Sequence, residues 1–179
     1  FTAALNAHAV ERLELDGKLR AAVQRKEFAV YFQPQWSLAD GRMTGLEALA
    51  RWQCDGNWMS PARFIPVAEE NGLIVALGAW ILEESCRAAA RWRAAGHELT
   101  IAVNVSPVQI RRDDLVTRVS RLLTQTGLPP HALELEITES LMMGDDAHVM
   151  AILGALKQLG LKLAIDDFGT GYSNLAYLK

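Results

Sequence analysis

Acid and amide side chains recur at alternate positions within short apolar stretches of this chain, which sets polar groups on one face of a strand and apolar groups on the other. In Leu99 to Ser106 the large apolar side chains occupy one face, leaving Ala102, Asn104 and Ser106 together. Leu133, Leu135 and Ile137 likewise leave Glu134, Glu136 and Thr138 opposite, and Leu161, Leu163 and Ile165 leave Ala164 and Asp166. In Gly45 to Arg51 it is Glu47, Leu49 and Arg51 that share a face, against Leu46, Ala48 and Ala50. With the apolar faces turned to helices, Glu47, Asn104, Glu136, Asp166 and Asp167 converge from four strands toward their C-terminal ends, where barrel enzymes place their chemistry. Four carboxylates at one mouth repel one another unless a cation neutralises them. Carboxylate and amide oxygens suit a hard divalent ion, magnesium or manganese rather than zinc. The histidines His8, His97, His131 and His148 have no metal-ligand spacing and are expected on surface or linker.

The elements that position these residues follow from periodicity. Residues 1–25 are charged and alanine-rich, with Leu13, Leu15, Leu19 and Val23 loosely at helical spacing, and read as a linker helix from an upstream region. Residues 26–179 read as the domain proper. Ala29 to Leu38 and Met43 to Trp52 form a strand pair turning at Asp40 and Gly41. Ser60-Pro61 opens a short helix, expected to be disturbed at Pro66 and closed near Gly72. A long helix then runs to Gly96. Three strand-helix units follow: Leu99 to Ser106 with a helix ending near Gly127, Leu133 to Thr138 with a helix from about Asp145 to Gly160, and Leu161 to Asp166 with a helix starting at Asn174. Alternating strands and helices imply a parallel sheet covered by helices, either open or closed into a barrel.

Half of the 179 residues are apolar, enough for a sizeable core. A net charge of −3 excludes a broad electrostatic grip on nucleic acid, so a small anionic ligand needs local partners instead. Two cysteines, Cys54 and Cys86, are too few for a disulfide framework and point to a reducing, cytoplasmic setting. The run Leu73 to Leu82 is about half a membrane span, so no membrane contact is expected of this segment, although a parent protein anchored in a membrane is compatible with it. Phe1 is not an initiator, and the chain is expected to begin inside a longer protein.

These residues also fall into a known order. Tyr31-Phe32-Gln33-Pro34 precedes Glu47-Ala48-Leu49-Ala50-Arg51, then come Pro61 to Glu69 in the form P-x-x-F-I-P-x-A-E, Asn104-Val105-Ser106, Glu136-Ile137-Thr138-Glu139, and Asp166 to Ser173 reading D-D-F-G-T-G-Y-S. Six motifs in this order resemble the EAL domain family. Asn174 stands where that family more often has serine.

The resemblance implies an α/β fold, a modified TIM-type (β/α)8 barrel with an antiparallel first strand. The chain stops before the last strands of such a barrel, which in the family carry a lysine, a second-metal glutamate and a glutamine. It implies a phosphodiesterase that hydrolyses cyclic di-GMP to linear pGpG with two magnesium or manganese ions, calcium being inhibitory. Glu47, Asn104, Glu136 and Asp166 are then ligands of the first metal, and Asp166 with Asp167 begins the second. Arg51 contacts a ligand phosphate, Gln33, Leu49 and Pro66 line the nucleotide pocket, and Glu139 anchors the loop from Asp167 to Asn174. A homodimer and an upstream sensor or GGDEF domain in the parent chain are implied too. The competing reading is a receptor that binds cyclic di-GMP without turnover; the motif acids present in this chain favour the enzyme.

Overall fold

The computed structural model describes residues 2–142 and 146–166, with side chains described for 12–139, 141 and 146–166. A hairpin begins the sheet: β1 (Phe28–Trp36) and β2 (Met43–Cys54) run antiparallel, and the turn between them closes with Ser37 N–H on the Arg42 carbonyl at 2.8 Å. Gly41 lies there at φ 67°, a left-handed conformation that glycine adopts without steric cost. Beyond the hairpin β4 (Thr100–Val105), β5 (Leu133–Thr138) and β6 (Lys162–Asp166) add in parallel, giving the order β1-β2-β4-β5-β6. The antiparallel first strand and the parallel succession after it agree with the expected barrel order.

A further strand, β3 (Asn57–Met59), pairs antiparallel with the end of β2 and was not expected. Its cause is local. Asp55 and Gly56 both take positive φ, 51° and 80°, between the paired residues Cys54 and Asn57, which is the two-residue Asp-Gly turn that matches strand twist.

Helices cover the apolar face of the sheet. α1 (Thr2–Arg25) precedes it; α2 (Pro61–Glu70) and α3 (Leu73–Ala94) follow the hairpin; α4 (Pro107–Arg112) and α5 (Leu115–Thr126) follow β4; α6 (Glu139–Met142) and α7 (Ala147–Gln158) follow β5. Two expectations are corrected here. α2 continues through Pro66, because a proline there forfeits only the bond to the Ala62 carbonyl and its ring faces solvent. The single helix expected up to Gly127 is two, because Asp113 leaves helical geometry at ψ 152° and the Asp114 carboxylate caps the next helix, accepting from Thr117 N–H at 3.2 Å. Arg118 then holds Asp113 through two hydrogen bonds of 2.6 and 2.8 Å.

The core is continuous along this helix-sheet interface. Trp52, fully buried, stacks on Phe28 at 5.7 Å and meets Phe64 edge-on at 5.7 Å and 87°, joining β1, β2 and α2. α1 contributes to the same core through Leu15, Leu19 and Ala22, and is tied down by Arg12 to Glu70, by Asn71 donating to Asp16, and by Lys18 to Asp55 at 2.6 Å. The helix expected as a linker is therefore packed on the body it leads into.

One contact in this layer is unusually demanding. The Gln109 carboxamide, 3% exposed, lies where a Cβ on Gly78 of α3 would be 2.2–2.5 Å from its atoms. Gln109 Oε1 also accepts from Ser106 N–H at 3.1 Å, completing the capping box of α4, so the carboxamide has little freedom to withdraw. Gly78→Ala is expected to destabilise the fold by about 1–3 kcal/mol, the usual scale of overpacking. Gly17→Ala, on an exposed turn of α1 with nothing within 4 Å, should instead stabilise by up to about 1 kcal/mol. Denaturant midpoints of the two variants check the pair, and equal midpoints would contradict the Gln109 contact.

Candidate active site

β2 places Glu47 half-buried on the face opposite Leu46 and Ala48, and the register sets it directly across from Gln33 of β1. One strand further, Asn104 projects from the same side, and its Nδ2 donates to Glu47 Oε1 at 2.8 Å. Asn104 is the register partner of Glu136, and Asp166 is the partner of Thr138, one pleat nearer the strand ends. β5 alternates buried and half-buried residues without exception, which turns Glu134, Glu136 and Thr138 away from the helices as the sequence pattern requires.

The electrostatics record this convergence. The Glu136 carboxyl is pushed up to about 7, first by burial and then by the charges of Glu47, Asp166 and Glu134. Three acids from three strands thus share one neighbourhood, with the Asn104 amide between Glu47 and Glu136. The oxygens of these side chains suit a hard divalent cation, which would offset the burial and the like charges that raise Glu136. Among the described residues, no three His, Cys, Asp or Glu side chains stand close enough to hold a metal by themselves. The expected ligand set also needs Asp167, which lies outside the described residues, as does the loop to Asn174.

The substrate-side candidates have different settings. Arg51 is half-buried, donates from Nη1 to the Ala50 carbonyl at 2.9 Å and sits with its guanidinium carbon 5.6 Å from the Tyr31 ring centroid. Leu49 is half-buried and pairs with Tyr31; Gln33 and Pro66 are exposed. Glu139 opens α6 directly after β5 and is half-buried. His97, His131 and His148 are all exposed, as expected; the side chain of His8 lies outside the described residues.

A link between two residues of the sequence motifs was not anticipated by sequence reasoning. Glu69 of α2 accepts from Ser106 Oγ at 2.7 Å, and the same oxygen accepts from Val108 N–H at 3.1 Å, so α2 and α4 are joined two residues beyond Asn104. The Ser106-x-x-Gln109 spacing is a capping-box signal that would have found half of this link; the partner Glu69 is too distant in sequence to be read.

Comparison with known proteins decides the family. The EAL domain family matches residues 16–179, more than nine-tenths of the chain. This chain belongs to the EAL domain family. The EAL chain is 42% identical over 181 residues to "Bifunctional diguanylate cyclase/cyclic di-GMP phosphodiesterase MucR" of Pseudomonas aeruginosa, covering all of this chain and 26% of that protein. It is 41% identical over 181 residues to "Cyclic di-GMP phosphodiesterase NbdA" of the same organism, covering all of this chain and 23% of that protein. The chain thus spans about a quarter of the length of these curated relatives. Among solved structures, the MucR phosphodiesterase in complex with c-di-GMP superposes with a TM-score of 0.87 at 41% identity, covering 92% of this chain and 68% of that one. The EAL enzyme Bd1971, with cAMP and cyclic-di-GMP bound, gives 0.88 at 31% identity, with 96% of this chain and 48% of that one covered. The architecture is accordingly the EAL form of the TIM-type barrel. Among the described residues no helix is long and apolar enough to cross a membrane.

Proposed function

We propose that this EAL domain hydrolyses cyclic di-GMP to linear pGpG with divalent cations bound at the strand ends. The observation that carries the reading is the hydrogen-bonded Asn104–Glu47 pair beside Glu136, whose carboxyl is raised by burial and by neighbouring acids, within a fold similar to that of a phosphodiesterase solved in complex with c-di-GMP. Glu47, Asn104, Glu136 and Asp166, with Asp167, would hold magnesium or manganese. Such ions, when bound, offset charge developing on the phosphodiester oxygens and ease deprotonation of the attacking water.

The remaining residues bind and orient. The Arg51 guanidinium offers a planar fork of donors to a phosphate, and Tyr31 beneath it limits its freedom. Asn104, by donating to Glu47 Oε1, restrains the rotamer of that carboxylate. Gln33, across from Glu47, and Leu49 border the nucleotide on the hairpin side. Glu139, one residue past β5, is assigned to hold the loop that starts at Asp167. The anionic ligand finds its counter-charge in these local groups, since the whole chain is net negative.

Turnover of cyclic di-GMP by the protein in magnesium, followed by chromatographic detection of pGpG, tests the proposal. Binding without product would favour the receptor reading instead. Calcium should bind at the same place yet lower the rate at least tenfold, because its longer and looser coordination relaxes the in-line geometry. Equal rates in calcium and magnesium would contradict the assigned ligand set.

A further inference from the structure

The ligand face of the hairpin carries two large aromatic side chains that the core does not use. Tyr31 is 48% exposed and Trp58 53% exposed, yet their ring centroids are 5.4 Å apart at 67°. Tyr31 is the register partner of Leu49, and so lies on the Glu47, Leu49 and Arg51 face of the sheet. Trp58 is brought there by β3, whose register sets it across from Gln53, the next residue on that face after Arg51. Arg51 completes the cluster over the Tyr31 ring. The hairpin that forms β3 therefore has one evident consequence for the site: it extends the sheet past Arg51 and ends it in an exposed indole.

Two half-exposed rings beside a cation offer a stacking surface, and their chemistry selects the ligand. A guanidinium takes a phosphate, while an aromatic ring at a nucleotide's distance takes the base, because every base offers a π face. The two rings stand at a steep angle, so one planar base stacks on one of them and meets the other by its edge. We propose that Tyr31 and Trp58 form a purine-stacking subsite, which seats one guanine of the dinucleotide while Arg51 holds the adjoining phosphate. This rests on the reading of the site as a cyclic di-GMP phosphodiesterase, and adds to it the residues that choose a base.

The test combines kinetics with fluorescence on the intact protein. Y31A and W58A are each expected to raise KM for cyclic di-GMP about tenfold or more, with kcat within about twofold, as loss of a stacking partner remote from the bond being broken requires. Binding of cyclic di-GMP in calcium should quench tryptophan emission in the wild type. W58F should recover most of the affinity lost in W58A, because a phenyl ring still stacks, but lose that quench. A purely structural role for Trp58 would not separate the two readouts. Values of KM within twofold of wild type for both alanine variants, or a full quench in W58F, would overturn the subsite. So would a change of oligomeric state in Y31A and W58A without any change in ligand kinetics, which would make the patch a protein interface. A wild type that binds no cyclic di-GMP would overturn the functional reading along with it, whereas binding that survives both alanine variants would overturn the subsite alone.

Discussion

Glu47→Ala is expected to reduce cyclic di-GMP turnover at least a hundredfold at saturating magnesium, while the melting temperature stays within a few degrees of wild type. A hundredfold loss corresponds to about 2.7 kcal/mol of barrier. The size follows from where Glu47 stands: it accepts from Asn104 and faces the neighbourhood of Glu136 and Asp166. Removing it deletes a proposed cation ligand and takes from the Asn104 amide the carboxylate that accepts from it. The small effect on stability follows from the alternation of β2, whose packing face is Leu46, Ala48, Ala50 and Trp52, all buried. Turnover above about a tenth of wild type would remove Glu47 from the ligand set. Calorimetric titration with manganese supplies a reading independent of activity, since affinity should fall with the rate.

How far the site was legible depends on how each residue is placed. Glu47, Asn104, Glu136 and Asp166 were readable because each alternates in sequence with large apolar residues; burial follows that alternation strictly along β5, whereas on β6 Ile165 stays exposed beside Asp166. Register then follows from packing, and the Asn104–Glu136 pairing needs no further information. Residues placed by contacts across the chain were not readable. The link from Gly78 through Gln109 and Ser106 to Glu69 joins α3, α4 and α2 through contacts that span 31 and 37 residues of sequence, and no periodicity encodes it. β3 and the break between α4 and α5 were encoded locally, in Asp55-Gly56 and in Asp113-Asp114, but by turn and cap chemistry rather than hydrophobic period. That difference explains why the acid-bearing face was anticipated while the indole that β3 brings to its end was not.

The link at Ser106 also bears on why the acids can be held close together. Carboxylates on neighbouring strands repel, and a sheet with a free end relieves repulsion by opening there. The end of β4 has no such freedom: Ser106 is fixed to Glu69 by its hydroxyl and to Gln109 by its N–H, and Gln109 is wedged against α3. The cost of assembling the site is thereby borne by packing remote from it, and the unfavourable charge remains as the raised Glu136.

That residual charge makes Glu136→Gln act in opposite directions on stability and on activity. In the ion-free protein Glu136 has its carboxyl pushed up to about 7 from 4.5, by burial and by Glu47, Asp166 and Glu134. A group whose folded value is raised contributes stability that is complete below its unfolded value and is lost as pH rises through its folded value. Between about pH 4.5 and 7 the wild type therefore loses stability from this residue, because the unfolded chain releases the proton more readily than the folded one. The glutamine variant carries no such proton. In EDTA at pH 8 it should be more stable than wild type by about 1–2 kcal/mol, a figure reduced from the full linkage value because half the side chain remains in solvent. Near pH 4 the difference should vanish. Saturating magnesium should reverse the order at pH 8, since the cation stabilises only the chain that binds it tightly, and hydrolysis by the variant should fall at least a hundredfold. Chemical denaturation at the two pH values, with EDTA and with magnesium, measures all of this in one series. A variant no more stable than wild type at pH 8 in EDTA would show that Glu136 is not strained by its neighbours, and an order unchanged by magnesium would show that it is not a ligand.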